Sequence, residues 1–405
     1  MLGVTLGTKI LTKEDLWCSV LGGAAIATGG GGSAPSYEAF CAGVDPTFEA
    51  GLKPKLVDAK DLPDDGPVIV PIGIGGGITR QDSERYGPPI RRGPGMEIAF
   101  KEMHRVFPLY EESMRPRDDW REAGVQRLKE IKGEDNYVAY LAGEIGPGIY
   151  RQAINGANEG IPVVDADMAG LRAVPELSFT SFNVYGIDLC PMVISTVWGD
   201  RLVVEESLSG QRLEDLTRAI ALYSMGFNST MLSVTGKDVK EAGVLESYSK
   251  TINVGKAIQK ARNSGDDPIA AIVKATGGYK IFEGEIVAKT NENSYAFRWG
   301  NGWIKGKGDF DGKLFRFWFK NENQISWLDG KPYVRCPDPF TVIDSETGEG
   351  LSNFQEASWT PGRKVSVVGV KAVDCWRTER GLQIYNPEHF GFPLEPVPIE
   401  KIMGE

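Results

Sequence analysis

Residues 137–167 place the tightest constraint on what this chain can fold into. Tyr137-Val138-Ala139-Tyr140-Leu141-Ala142 has the composition of a buried strand. Ile149, Ala153, Ile154 and Ala157 then recur at helical spacing, and Gly160 stands where a helix closes in left-handed backbone. Ile161-Pro162-Val163-Val164 reads as a second strand, with Asp165-Ala166-Asp167 at its end. A strand–helix–strand unit of about 30 residues needs parallel strands and a right-handed crossover. The expected fold class is therefore α/β. Ligands of such sheets bind beyond the carboxyl ends of the strands. Glu144, Asp165 and Asp167 are thus expected to gather at one rim, with Glu176 close behind.

The flanking segments extend this frame. Thr12-x-x-Asp15 reads as a variant capping box, and Leu16, Val20 and Ala24 lie on one face of the helix it opens. Thr28-Gly29-Gly30-Gly31-Gly32-Ser33 ends that helix, because four glycines cannot sustain it. A short helix restarts near Ser36. Residues 67–74 read as a strand running into Gly75-Gly76-Gly77, residues 83–95 as a long loop, and residues 97–130 as helix in parts, broken at Pro108 and Pro116.

After Arg172 the pattern changes. Residues 178–184 and 192–197 look like strands. Residues 213–225 read as a helix with Leu213, Leu216, Ile220 and Tyr223 on one face, followed by helices at 254–262 and 269–275. From 279 to 384 short strands alternate with turns. Lys313-Leu314-Phe315-Arg316-Phe317-Trp318-Phe319 alternates in part, Asp311-Gly312 and Asp329-Gly330 are hairpin signals, and residues 363–370 form one more strand. An antiparallel barrel or sandwich is expected there. The reading divides the chain into residues 1–172, an α/β domain with the glycine loop and acidic rim, and residues 173–405. The second part is helical near 211–275 and β-rich from about 279 to 385.

Composition excludes several function classes. The chain has 405 residues, enough for a substantial core. Lys+Arg is 45 and Asp+Glu is 55, so the net charge of −10 argues against nucleic acid or an anionic membrane as the main partner. Fifty glycines make about 12% of the chain against a usual ~7%, without a Gly-X-Y period, so they mark turns and close approaches. Five widely spaced cysteines (Cys18, Cys41, Cys190, Cys336 and Cys375), no leader pattern and no span-length apolar run fit a cytoplasmic protein with reduced thiols. A homo-oligomer is compatible with a metabolic protein of this size.

The residues that could carry chemistry fall into four groups. In the acidic rim, Glu144, Asp165, Asp167 and Glu176, crowded carboxylates repel. Either one pKa rises into a useful acid–base range or a divalent cation neutralises them, with Asp165 and Asp167 as its ligands. The bland alternative has them capping a helix or pairing with Arg172. The successive backbone amides of Gly29, Gly30, Gly31 and Gly32 could cradle a ligand, or the loop could simply stop a helix and pack tightly. It is neither a phosphate-binding loop ending in Gly-Lys-Ser/Thr nor a dinucleotide fingerprint, so no nucleotide cofactor is expected. Gly73 to Gly77 is a second candidate ligand loop. Only two histidines occur, His104 and His389, too few for a three-histidine zinc site. Cys190 and Cys336 each precede a proline, and buried inert thiols are the usual case.

Several segments together resemble a known family. They are Thr28-Gly29-Gly30-Gly31-Gly32 and Glu144-Ile145-Gly146, then the run from Ile161 through Asp165-Ala166-Asp167-Met168-Ala169-Gly170-Leu171-Arg172-Ala173-Val174-Pro175-Glu176. Asn321-Glu322, Pro337-Asp338, and Gly381 through Pro387 to Phe390-Gly391 complete the pattern. It resembles the S-methyl-thiohydantoin desulfurase family, whose genes often accompany hydantoinase and oxoprolinase relatives, and the resemblance spans nearly the whole chain. It implies a three-layer α/β domain followed by a β-rich domain, and a five-membered thiohydantoin or hydantoin-like ring as substrate. Carried over by position, the resemblance places the glycine loop on Gly29–Gly32, the glutamate on Glu144, and the acidic string on Asp165, Asp167, Arg172 and Glu176. The chain departs from the pattern at Pro147, which replaces a second glycine after Glu144. The expected activity is hydrolytic desulfurisation, with Asp167 or Glu144 as base and Arg172 on a substrate carboxylate. A cyclic amidohydrolase and a non-catalytic subunit of a hydantoinase-like complex are the alternatives.

Overall fold

The computed structural model describes residues 7–76, 119–224 and 226–405. Gly77, the loop at 83–95, His104, Pro108, Pro116 and Met225 lie outside the described residues.

Thr12 caps the first long helix, α1 (Lys13–Ile26), through the reciprocal bonds with Asp15 that its spacing predicts. Ser36 likewise caps α2 (Tyr37–Glu49). The first sheet comprises β1 (Thr8–Ile10), β2 (Lys55–Val57), β3 (Pro67–Gly75), β4 (Ala139–Ala142), β5 (Val163–Asp167), β6 (Met192–Thr196), β7 (Arg201–Val204), β8 (Phe227–Thr235) and β9 (Val244–Leu245). Their order is β1-β2-β5-β4-β3-β8-β6-β7, with β9 on β5. β2, β5, β4 and β3 run parallel, and β8, β6 and β7 extend the sheet antiparallel from β3. The strand–helix–strand unit is β4, α4 and β5, where α3 is Trp120–Lys132 and α4 is Tyr150–Glu159.

Strand alternation sorts the core into layers. β3 sends Ile69 into one apolar cluster, with residues of α1 to α4, and Val68 and Val70 into another. The second cluster is covered by α5 (Ser181–Tyr185), α6 (Gly210–Tyr223) and α7 (Gly236–Ala242). The first is completed by α8 (Ser247–Ser264) and α9 (Pro268–Thr276). The result is three layers, α/β/α. α1 and α8 pack backbone to backbone: a Cβ on Gly22 would sit 1.9 Å from the Thr251 carbonyl oxygen, and one on Gly255 1.9 Å from that of Cys18. Larger residues at either position would force the helices apart.

The second sheet is antiparallel and curled. It runs β15-β14-β13-β12-β10-β17-β16, with β11 on β12. These strands are β10 (Tyr279–Lys289), β11 (Glu292–Ser294), β12 (Phe297–Gly306), β13 (Leu314–Lys320), β14 (Glu322–Leu328), β15 (Lys331–Arg335), β16 (Phe340–Asp344) and β17 (Lys364–Gly369). Phe315, Phe317 and Phe319 all point into its core, as their alternation requires. Asp329 and Gly330, both with positive φ (49° and 77°), turn β14 into β15.

Three local readings change. Residues 178–184 do not form a strand; Thr180 caps α5 by accepting from the Asn183 N–H, and Gly186 ends the helix in left-handed backbone. The long strand β8, absent from the sequence reading, occupies the centre of the first sheet and carries that sheet, with β9, to Leu245. In α6 the buried face is Leu213, Glu214, Thr217, Arg218 and Ala221, whereas Leu216 is 44% and Tyr223 41% exposed. An ion pair between Glu214 and Arg218, one helical turn apart, turns inward where periodicity alone would place leucine.

Candidate active site between the two sheets

The carboxyl ends of β3 and β4, the segment after β5 and the start of β14 enclose a cavity of about 420 Å³. Its place beyond the parallel strands follows the rule for α/β sheets. One wall, however, comes from the second sheet.

Glu144 follows the end of β4, and its Oε2 accepts a hydrogen bond from the Val174 N–H at 2.9 Å. Burial, foremost, pushes its carboxyl up to about 7; the Asp167 charge adds to this, while the Val174 hydrogen bond and the Arg172 and Arg218 charges oppose it. Glu322 opens β14 and is 2% exposed. Its Oε1 accepts from the Gly31 N–H at 3.3 Å, and its Oε2 has no partner among the described residues. Burial first, then the Glu144 charge, holds the Glu322 carboxyl well above the usual carboxylate range. Both glutamates line the cavity, so two carboxyls that cannot comfortably ionise together share one wall.

The glycine loop makes this wall possible. Thr28, Gly29, Gly31 and Gly32 all have positive φ. The Thr28 and Gly29 carbonyls accept from the Asn323 and Asn353 N–H groups at 2.7 Å each, docking the loop on the second sheet. A Cβ on Gly30 would lie 1.7 Å from Glu322 Oε1, so only glycine admits that carboxyl. Gly31 and Gly32 line the cavity, as do Gly73 and Gly75 of the second glycine cluster, while Gly29 and Gly30 pack behind it.

Glu176 also lines the cavity, but its chemistry differs. Lys320 Nζ pairs with its Oε1, and His389 Nε2 lies 3.0 Å from both carboxylate oxygens. Burial would raise its pKa, yet the His389 hydrogen bond and the Lys320 charge prevail and hold the carboxyl down to about 2. Glu176 is therefore a fixed anion, a poor proton acceptor. Arg218 is equally constrained: Nε donates to Glu214 Oε1 at 2.8 Å, Nη1 to the Ala296 carbonyl at 2.9 Å and Nη2 to the Pro175 carbonyl at 2.8 Å.

Asp165, Asp167 and Arg172 do not reach the cavity wall. Asp165 Oδ1 accepts from the Ser249 N–H at the start of α8. Asp167 accepts from the backbone N–H groups of Ala169, Gly170 and Leu171 at 2.6, 2.7 and 2.9 Å, tying down the turn after β5. Burial raises its pKa to about 6 in spite of these bonds. Arg172 is buried behind the site, donating from Nη1 to the Pro337 carbonyl at 2.7 Å, with its guanidinium 4.9 Å from the Tyr385 ring centre. The expected four-acid rim thus divides: Glu144 and Glu176 face the cavity, and the two aspartates serve the backbone. Backbone donors occupy both oxygens of Asp167 and Oδ1 of Asp165. Among the described residues no group of three or more His, Cys, Asp or Glu is arranged to hold a metal ion. None of the five cysteines lines the cavity, and His389 acts on it only through Glu176. Glu322 is the residue that sequence reasoning did not place in the site. Its one signal was membership of the Asn321-Glu322 string.

Comparisons with known proteins agree with this architecture. No curated protein matches the chain. An X-ray crystal structure of a protein from Chromobacterium violaceum matches with a TM-score of 0.66 at 16% identity, covering 96% of this chain and 100% of that one, a likeness of fold. Two family models match in succession: "S-Me-THD-like, N-terminal domain" over residues 14–206 and "S-Me-THD-like, C-terminal domain" over residues 209–399. The chain belongs to the S-Me-THD-like family, the S-methyl-thiohydantoin desulfurase family that its motifs resemble.

Proposed function

We propose that the chain is a hydrolase that removes sulfur from a thiohydantoin or S-methyl-thiohydantoin ring, releasing a thiol and leaving a hydantoin. The family membership supports the substrate class. The Glu144–Glu322 pair carries the chemistry, because two enclosed carboxyls held at different protonation supply a base and an acid to one cavity.

For the S-methyl substrate the steps balance as follows. Glu144, ionised, takes a proton from water as its oxygen adds to the ring carbon that bears sulfur. Glu322, protonated, gives its proton to the adjacent ring nitrogen. The tetrahedral adduct then collapses and the carbon–sulfur bond breaks. The new hydroxyl returns its proton to Glu322 as the carbonyl forms, and the departing methanethiolate takes the proton held on Glu144. One water is consumed, and one hydantoin and one methanethiol form. Arg218 and Glu176, each held by its own partners, shape the cavity.

The test is incubation of the full chain with S-methyl-thiohydantoins, thiohydantoins, hydantoins and lactams, with and without chelator, recording thiol release and ring products. Thiol release with the ring intact, lost in Glu144→Gln, is the expected result. Ring opening without thiol would instead make the chain a cyclic amidohydrolase. Ligand binding without turnover would make it a non-catalytic subunit.

A further inference from the structure

We propose that the cavity selects rings carrying a carboxylate arm, and that Arg151, with Arg121 beside it, holds this arm at the mouth. The proposal rests on the reading of the cavity as a site for a five-membered ring and adds the chemistry of the ring's substituent.

Several positive charges at the cavity are already engaged. Lys320 is paired with Glu176, and Arg218 reaches Glu214 and two carbonyls. Arg172, the residue first expected to bind a carboxylate, is buried behind the wall, where it donates to the Ala173 and Pro337 carbonyls and faces the Tyr385 ring. Arg151 differs. It stands in the first turn of α4 and lines the cavity. Among the described residues its guanidinium forms no ion pair; it lies 5.6 Å from the Tyr150 ring centre.

Arg121 adds a second cation at the same end. Its guanidinium lies 4.3 Å from the Trp120 ring centre and 5.9 Å from that of Phe227, and Phe227 lines the cavity. Burial lowers the Arg121 pKa first, Glu122 counteracts this, and the neighbouring Arg151 charge lowers it again. Two like charges stand side by side here, and among the described residues neither guanidinium forms an ion pair, so a bound anion would relieve their repulsion. The same cavity bears Glu144 and Glu322, beside which a second anion would raise the repulsion already present. An asymmetric ligand resolves both: neutral ring against the glutamates, carboxylate arm at the arginines. Guanidinium suits this arm because it offers a planar pair of donors.

Calorimetric titration of the full chain with hydantoin-5-acetate, its neutral amide and 5-methylhydantoin tests the proposal. The carboxylate is expected to bind at least about tenfold more tightly than the amide, the size of one charge-assisted hydrogen bond. Arg151→Ala should remove that margin without changing affinity for the two neutral rings. Arg151→Lys should restore part of it, Arg121→Ala should reduce it, and added salt should shrink it. Equal affinity for all three ligands, an undiminished preference in Arg151→Ala, or no binding by any of them would overturn the proposal. Thiol release is measured separately. A carboxylate preference without desulfurisation would sink the proposed reaction and leave this subsite standing, and desulfurisation blind to the arm would do the reverse.

Discussion

Glu144→Gln removes an ionisable group from the cavity wall while keeping its shape and its acceptor for the Val174 N–H. The native carboxyl is moved from an ordinary 4.5 to about 7, chiefly by burial. The folded chain therefore holds this proton more tightly than the unfolded chain does. Its contribution to stability is fully present below about pH 4.5 and is lost as pH rises through about 7. At about 1.4 kcal/mol per pH interval of one, the loss amounts to about 3 kcal/mol, an upper value because Glu144 touches the cavity. The glutamine variant has no proton to lose. Between pH 4.5 and 8 its stability relative to the native chain should climb by about 2–3 kcal/mol. Groups that do not interact with Glu144 cancel in that difference, which leaves its coupling to Asp167 and Glu322 as the remaining contribution. Urea unfolding of both proteins at pH 4.5, 6 and 8 measures it by linear extrapolation. A difference that stays constant across this range would refute the reasoning and with it Glu144 as a group poised near neutrality. The same variant should lose about 10²- to 10⁴-fold in turnover if Glu144 is the base.

Glu322→Gln replaces a carboxyl already held neutral, so stability at pH 7 should change by less than about 1 kcal/mol while turnover falls by a similar 10²- to 10⁴-fold; parallel unfolding and thiol-release assays would separate the two effects. Lys320→Met leaves Glu176 a buried anion with His389 alone, and should cost about 3 kcal/mol or more by denaturant unfolding at pH 7. Because the Glu176 pKa is lowered to about 2, its contribution is present above about pH 4.5 and lost as pH falls toward 2, so the gap between variant and native chain should narrow on acidification. Asp167→Asn weakens the acceptor for three backbone N–H groups and should cost about 1–3 kcal/mol, with turnover per folded molecule retained; a folded but inactive variant would return Asp167 to the catalytic group. Gly30→Ala should abolish turnover, since its methyl would occupy the place of Glu322 Oε1, whereas Gly32→Ala meets no atom within 4 Å and should cost only about 1 kcal/mol for its positive φ.

The sequence by itself determined whatever depends on neighbours along the chain. The capping box at Thr12, the closure of α4 at Gly160, the parallel β4–α4–β5 unit and the alternation of Phe315, Phe317 and Phe319 are all set by contacts within a few residues or by a strand's two-residue period. The same logic located Glu144 at the carboxyl end of the sheet. Only the tertiary structure decided which acids face the cavity. Asp165 and Asp167 looked like a catalytic pair because two carboxylates stood at a strand end, but the Ser249 N–H and the turn at 169–171 claimed their oxygens. Periodicity placed Leu213, Leu216, Ile220 and Tyr223 of α6 on one face, but packing buries Glu214 and Arg218 and leaves Leu216 and Tyr223 exposed. Glu322 lies 178 positions after Glu144, and no local pattern joins them. They line one cavity because Gly29 to Gly32 has no side chains and leaves room for the Glu322 carboxyl against Gly30 and Gly31.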